Sequence, residues 1–86
     1  MVRWIWTAAN TEHIARHDLR PADVEAVTQA ADYGEDQDPA SGRITMEGTT
    51  AAGFIRVLAA PTAPDELYCI TAYALNPKRR KTGRTP

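Results

Sequence analysis

Four side chains in this sequence carry groups suited to acid–base and phosphate chemistry. His13 and His17 lie four apart in NTEHIARHDLRPADVEAV, Arg56 interrupts the apolar run FIRVLAA, and Tyr73 lies within LYCITAYAL. Histidine changes charge near neutrality, so either ring can act as a general acid or base. On a helix the two rings sit about 40° apart and border the stripe that contains Ile14. A metal pair would need further ligands. The sequence has neither an H-E-x-x-H pattern nor a matched cysteine cluster, so no metal and no cofactor is expected. A third role is structural, with a ring nitrogen on a backbone carbonyl, and this suits His13.

Arg56 shares one side of its strand with Phe54 and Leu58 by strict alternation. A guanidinium in that company calls for a partner or a ligand. Two readings stay open. Arg56 and Tyr73 can form a basic, hydroxylated patch on an open sheet face, or Arg56 can bridge to Glu47 on a neighbouring strand. Trp4 and Trp6 share a face and serve either as packing or as a platform for bases. Cys69 is expected to be a buried small hydrophobe.

These groups require elements to hold them. Residues 2–6 read as a first strand, and Asn10 or Thr11 caps a helix over Thr11 to Asp18. Arg20-Pro21 interrupts that helix and opens another, from Pro21 to Ala31, with Val24, Val27, Thr28 and Ala31 on one stripe. Residues 32–42, acidic with a proline and two glycines, read as a loop. Strands follow over 43–50, 54–60 and 67–75, and the last, being the most apolar, is expected to be central. Alternation places Cys69, Thr71 and Tyr73 on one of its faces and Tyr68, Ile70, Ala72 and Ala74 on the other. Asn76-Pro77 is expected to open a short basic helix. The fold expected is α+β, with two N-terminal helices packed on one face of a small, mainly antiparallel sheet and a short basic C-terminal helix. Residues 1–80 are expected to form a single domain and 81–86 a basic, disordered tail.

The net charge of −1 hides an asymmetry. Residues 1–77 hold five basic and all eleven acidic side chains, a net of −6, while Lys78, Arg79, Arg80, Lys81 and Arg84 give the last nine residues +5. Such a split fits a polyanion contact, pairing with the acidic body, or a solvated terminus. No stretch approaches membrane-spanning length, so no membrane partner and a cytoplasmic location are expected.

NTEHIARHDLRPADVEAV together with ITAYALNPKRR resembles the BrnT family of bacterial toxins. These are small ribonucleases of type II toxin–antitoxin modules, with a fold similar to the RelE and ParE toxins. The resemblance runs from Trp4 to about Arg80. His17 corresponds by position to the family's characteristic histidine, and Arg16 to the basic residue before it. Ile70, Thr71 and Ala72 match the late-strand motif, and Arg80 matches an arginine of the terminal basic helix. Asp18 stands where the family has glycine and Tyr73 where it has a strand arginine. Phe54 follows Gly53 where many members have Gly-Arg, Arg79 replaces a glutamate, and no tyrosine closes the motif.

The resemblance implies metal-independent RNA cleavage, in which a ribose 2′-hydroxyl attacks the adjacent phosphate. In that chemistry His17 would act as acid or base, Arg56 and Arg80 would hold the phosphate, and Tyr73 would offer a hydroxyl or a stacking surface. Arg16, Lys78, Arg79 and Lys81 would add contacts to the RNA backbone. A cognate antitoxin is the implied protein partner, and an uncovered strand edge would allow a homodimer. The alternative is a non-catalytic member of the fold that binds protein or nucleic acid, which the missing strand arginine and motif glutamate favour.

Overall fold

In the order of the chain, strand β1 (Arg3–Ile5) leads into helix α1 (Ala8–Ala15) and helix α2 (Pro21–Glu25), which continues as a 3-10 turn over Ala26–Gln29. Strands β2 (Gly34–Gln37), β3 (Ile44–Thr50), β4 (Gly53–Ala63) and β5 (Glu66–Leu75) follow. This is a computed structural model, and it describes residues 2–75. The expected basic helix and tail, with Lys78, Arg79, Arg80 and Lys81, lie outside the described residues. Over the described residues the fold is α+β, with two helices and one five-stranded mixed sheet in the order β1-β5-β4-β3-β2. β1 runs parallel to β5, and the other three pairings are antiparallel.

β5 is an interior strand, flanked by β1 and β4, with β4 next to it in the middle place of the five. Two expectations about the sheet change. The acidic stretch read as a loop contains β2, whose four residues are all exposed. It forms because the chain reverses on itself, not because it buries apolar surface. Asp38 donates its amide to the Arg43 carbonyl (2.9 Å), and Gly42 closes the turn at φ 77°, a conformation that suits glycine. The last change concerns β5. Leu58 pairs with Thr71 but Ala59 pairs with Cys69, so Ile70 is an extra residue in a β-bulge. The bulge breaks the alternation: Cys69 turns into the core with Leu67 and Ala72, while Thr71 and Tyr73 point to the opposite face.

The core gathers Ile55, Val57 and Ala59 of β4 and Met46 of β3 with Ile14, Leu19, Val24 and Val27 of the helical segment. The helices do not lie side by side as one layer. The 3-10 turn sits directly on β3 at Gly48, where a Cβ would stand 2.7 Å from the Ala30 Cβ and 2.9 Å from the Val27 carbonyl oxygen. α1 instead runs along β5, beyond the point where β1 stops pairing at Tyr68. Buried Asn10 fastens it there, its amide donating to the carbonyls of Ile5 (3.0 Å) and Cys69 (3.2 Å). Those carbonyls lie where the β1–β5 ladder ends, and Asn10 supplies each with a donor there.

The helix begins earlier than the sequence indicates. Thr7 is its cap and Asn10 its third residue, the two linked reciprocally: Thr7 N–H donates to Asn10 Oδ1 (2.7 Å), and Asn10 N–H to Thr7 Oγ1 (3.2 Å). α2 opens on Pro21 as expected, with the Asp23 carboxylate accepting the Arg20 amide at 2.8 Å.

Candidate functional site

Two rows of side chains cross the face of the sheet opposite the core. One row runs Glu47, Arg56, Tyr73, and the other Thr45, Leu58, Thr71. α1 brings a histidine to the β5 end of each. Four residues of helix rise about 6 Å and two residues of strand about 6.7 Å, so the i,i+4 pair on α1 stays in step with the i,i+2 pair on β5. His13 Nε2 lies 2.9 Å from Thr71 Oγ1, and the His17 ring centroid lies 6.2 Å from that of Tyr73. The two imidazoles meet edge to face at 5.7 Å.

The end of α1 fixes His17. Asp18 donates its amide to the Ala15 carbonyl (3.0 Å) and Leu19 to the Ile14 carbonyl (3.1 Å), with Asp18 in the left-handed region at φ 63° and Leu19 buried. This is a Schellman stop, whose left-handed position is usually glycine. His17 therefore sits at a sharply terminated helix end rather than within a continuing turn.

Arg56 meets both of the neighbours that the sequence offered as alternatives. Its Nε–H donates to the Glu47 carboxylate on β3, and Tyr73 pairs with it directly on β5. Tyr73 first and Glu47 second raise its pKa above the ordinary arginine value, so the guanidinium is held charged. Glu47 takes Nε, and a guanidinium has four further N–H donors. Beside it a groove of about 410 Å³ is lined by Asp36, Thr45, Glu47, Arg56, Leu58, Thr71 and Tyr73.

Of the residues expected at the site, His17, Arg56 and Tyr73 come together. Arg16 does not line the groove; it is exposed and pairs with Glu12 at 3.6 Å. Lys78, Arg79, Arg80 and Lys81 lie outside the described residues. The sequence offers Thr71 as a motif match and as a face-mate of Tyr73 but not as a site residue, yet it is the partner of His13. The match between four helical residues and two strand residues was the signal that could have found it. Asp36 was hidden in the supposed loop.

The other reactive side chains are accounted for by packing. Trp4 and Trp6 stack at 6.1 Å against the core, and Trp6 Nε1 donates to Glu25 at 2.8 Å. Burial pushes the Cys69 thiol up to about 11, which leaves it protonated and unreactive near neutrality. Among the described residues no group of three or more His, Cys, Asp or Glu side chains is placed to hold a metal ion, and no helix is long and apolar enough to cross a membrane. Compared with models of known protein families and with curated proteins, the chain matches none.

Proposed function

We propose that this protein is a BrnT-like toxin of a type II toxin–antitoxin module, a metal-independent endoribonuclease acting in the cytoplasm and neutralised by a cognate antitoxin. The observation that carries the reading is the contiguity of His17, at the end of α1, with Tyr73 and Arg56 on a sheet face that no described element covers. Cleavage by a 2′-hydroxyl needs a base for that hydroxyl, an acid for the leaving 5′-oxygen, and positive charge beside the phosphate. His17 supplies proton transfer, Arg56 the fixed charge, and Tyr73 a hydroxyl or a stacking surface between them. Arg80, with Lys78, Arg79 and Lys81, completes the cationic set and makes binding weaken with salt. A homodimer through the exposed edge of β2 is compatible with this chemistry.

A second reading, a binding module that does not cut, is favoured by the Glu47 carboxylate on Arg56, which competes with a phosphate for the same cation.

The test is cleavage of total RNA by the purified full chain without added metal. Acid–base help is worth about 10² to 10⁴-fold, so His17→Ala should lose at least about 100-fold. Arg56→Ala should weaken both binding and cleavage. Unchanged cleavage in both variants removes the assignment. RNA bound but left intact by the unaltered protein selects the binding module.

A further inference from the structure

The groove beside Arg56 has two unlike ends. At the β5 end stand Tyr73 and Thr71, backed by His17 and His13. At the β2 end stand Asp36 and Thr45, and Leu58 lies between. The register makes this a straight line across four strands, because Asp36 pairs with Thr45, Thr45 with Leu58, and Leu58 with Thr71. Strands are spaced about 4.8 Å apart, so Asp36 lies roughly 10 Å across the sheet from the strand that carries both Leu58 and Arg56. Asp36 has no ion-pair partner among the described residues, whereas Glu47 in the next row is held by Arg56.

A ligand complementary to this groove is anionic at one end, flat and weakly polar in the middle, and rich in N–H donors at the other. We propose that the groove is a polarised nucleotide site that selects bases bearing an exocyclic amino group over uracil, with Asp36 as the residue that reads the base. The phosphate lies at Arg56, Tyr73 and His17, the base lies over Leu58, and its edge reaches Asp36 and Thr45. An ionised carboxylate only accepts hydrogen bonds, so it favours the amino group of cytosine or adenine. It disfavours the corresponding carbonyl of uracil, where two acceptors would face each other. The hydroxyl of Thr45 can donate or accept and tolerates either. The Asp36 carboxylate also repels the phosphate, which sets the direction of binding. Through its phosphate end the inference rests on the proposed RNA chemistry, but its base preference can be measured without cleavage.

The experiment is titration of the isotope-labelled full chain with 5′-CMP and with 5′-UMP, which differ in whether position 4 bears an amino group or a carbonyl. It is followed by backbone NMR at fixed ionic strength, in the unaltered protein and in Asp36→Asn and Asp36→Glu. Asp36 is exposed on an edge strand, so both variants should fold. CMP should bind about 5- to 10-fold more tightly than UMP, with shifts at Asp36 and Thr45. Asp36→Asn, whose amide can donate to a carbonyl, should bring the two within about twofold or reverse them, and Asp36→Glu should keep the order. Equal affinities in the unaltered protein, a preference surviving Asp36→Asn, or no binding of either nucleotide would overturn the inference. A CMP preference in a protein that leaves RNA uncut retains the inference and removes the ribonuclease reading. Cleavage without base preference does the reverse.

Discussion

The two faces of this sheet are made by alternate residues of the same strand, and they have opposite fates. Ile55, Val57 and Ala59 of β4 point to the helical side and are fully shielded; Phe54, Arg56 and Leu58 point the other way and remain partly exposed. The shielded face is dry and apolar, closed by Val27 against Gly48 and by Ile14 of α1. The open face collects a guanidinium, two carboxylates, three hydroxyls and, from the side, two imidazoles. Stability and chemistry are thus separated by a single residue step along β4.

That separation can be broken on purpose, most strongly from the shielded side. Ile55→Ala removes fully buried volume and should cost about 2–5 kcal/mol in urea unfolding. Leu58→Ala, three residues on and facing outward, should cost clearly less, and equal losses would mean that the faces are not distinct. Asn10 ties the faces together, because it anchors the helix that carries both histidines. Asn10→Ala leaves the carbonyls of Ile5 and Cys69 without their donor and should cost about 1–3 kcal/mol. It should also loosen His13 from Thr71, visible as the loss of nuclear Overhauser contacts between them. A smaller change of opposite sign is expected at Asp18. Glycine there relieves a left-handed backbone, so Asp18→Gly should raise stability by about 1 kcal/mol or less in thermal unfolding. A loss of stability would contradict the Schellman assignment.

The sequence made the shielded and open sides of β4 legible because strict alternation holds from Phe54 to Ala59. It misplaced Cys69 on β5 because one bulged residue, Ile70, reverses every face assignment on the far side of it. It missed β2 because an exposed edge strand of glycine, acids and glutamine has no apolar period to detect. Helix α1 was placed three residues late because its cap is Thr7 with Asn10 answering from the third position, where a glutamate or glutamine is the usual sign. The site fared better than the boundaries. The spacing of His13 and His17 and the alternation at Arg56 are local properties, whereas their meeting across α1, β5 and β4 depends on the bulge and on Asn10.

The most direct measurement is a map of amide and side-chain NMR shifts in the full chain as a short single-stranded RNA, chemically blocked at its 2′-hydroxyls, is added. Shifts should concentrate at His13, His17, Arg56, Thr71 and Tyr73, with Ile55, Val57 and the Trp4–Trp6 stack unmoved, and should fade as salt is raised. Shifts centred on Trp4 and Trp6, or none on the open face, would contradict the account.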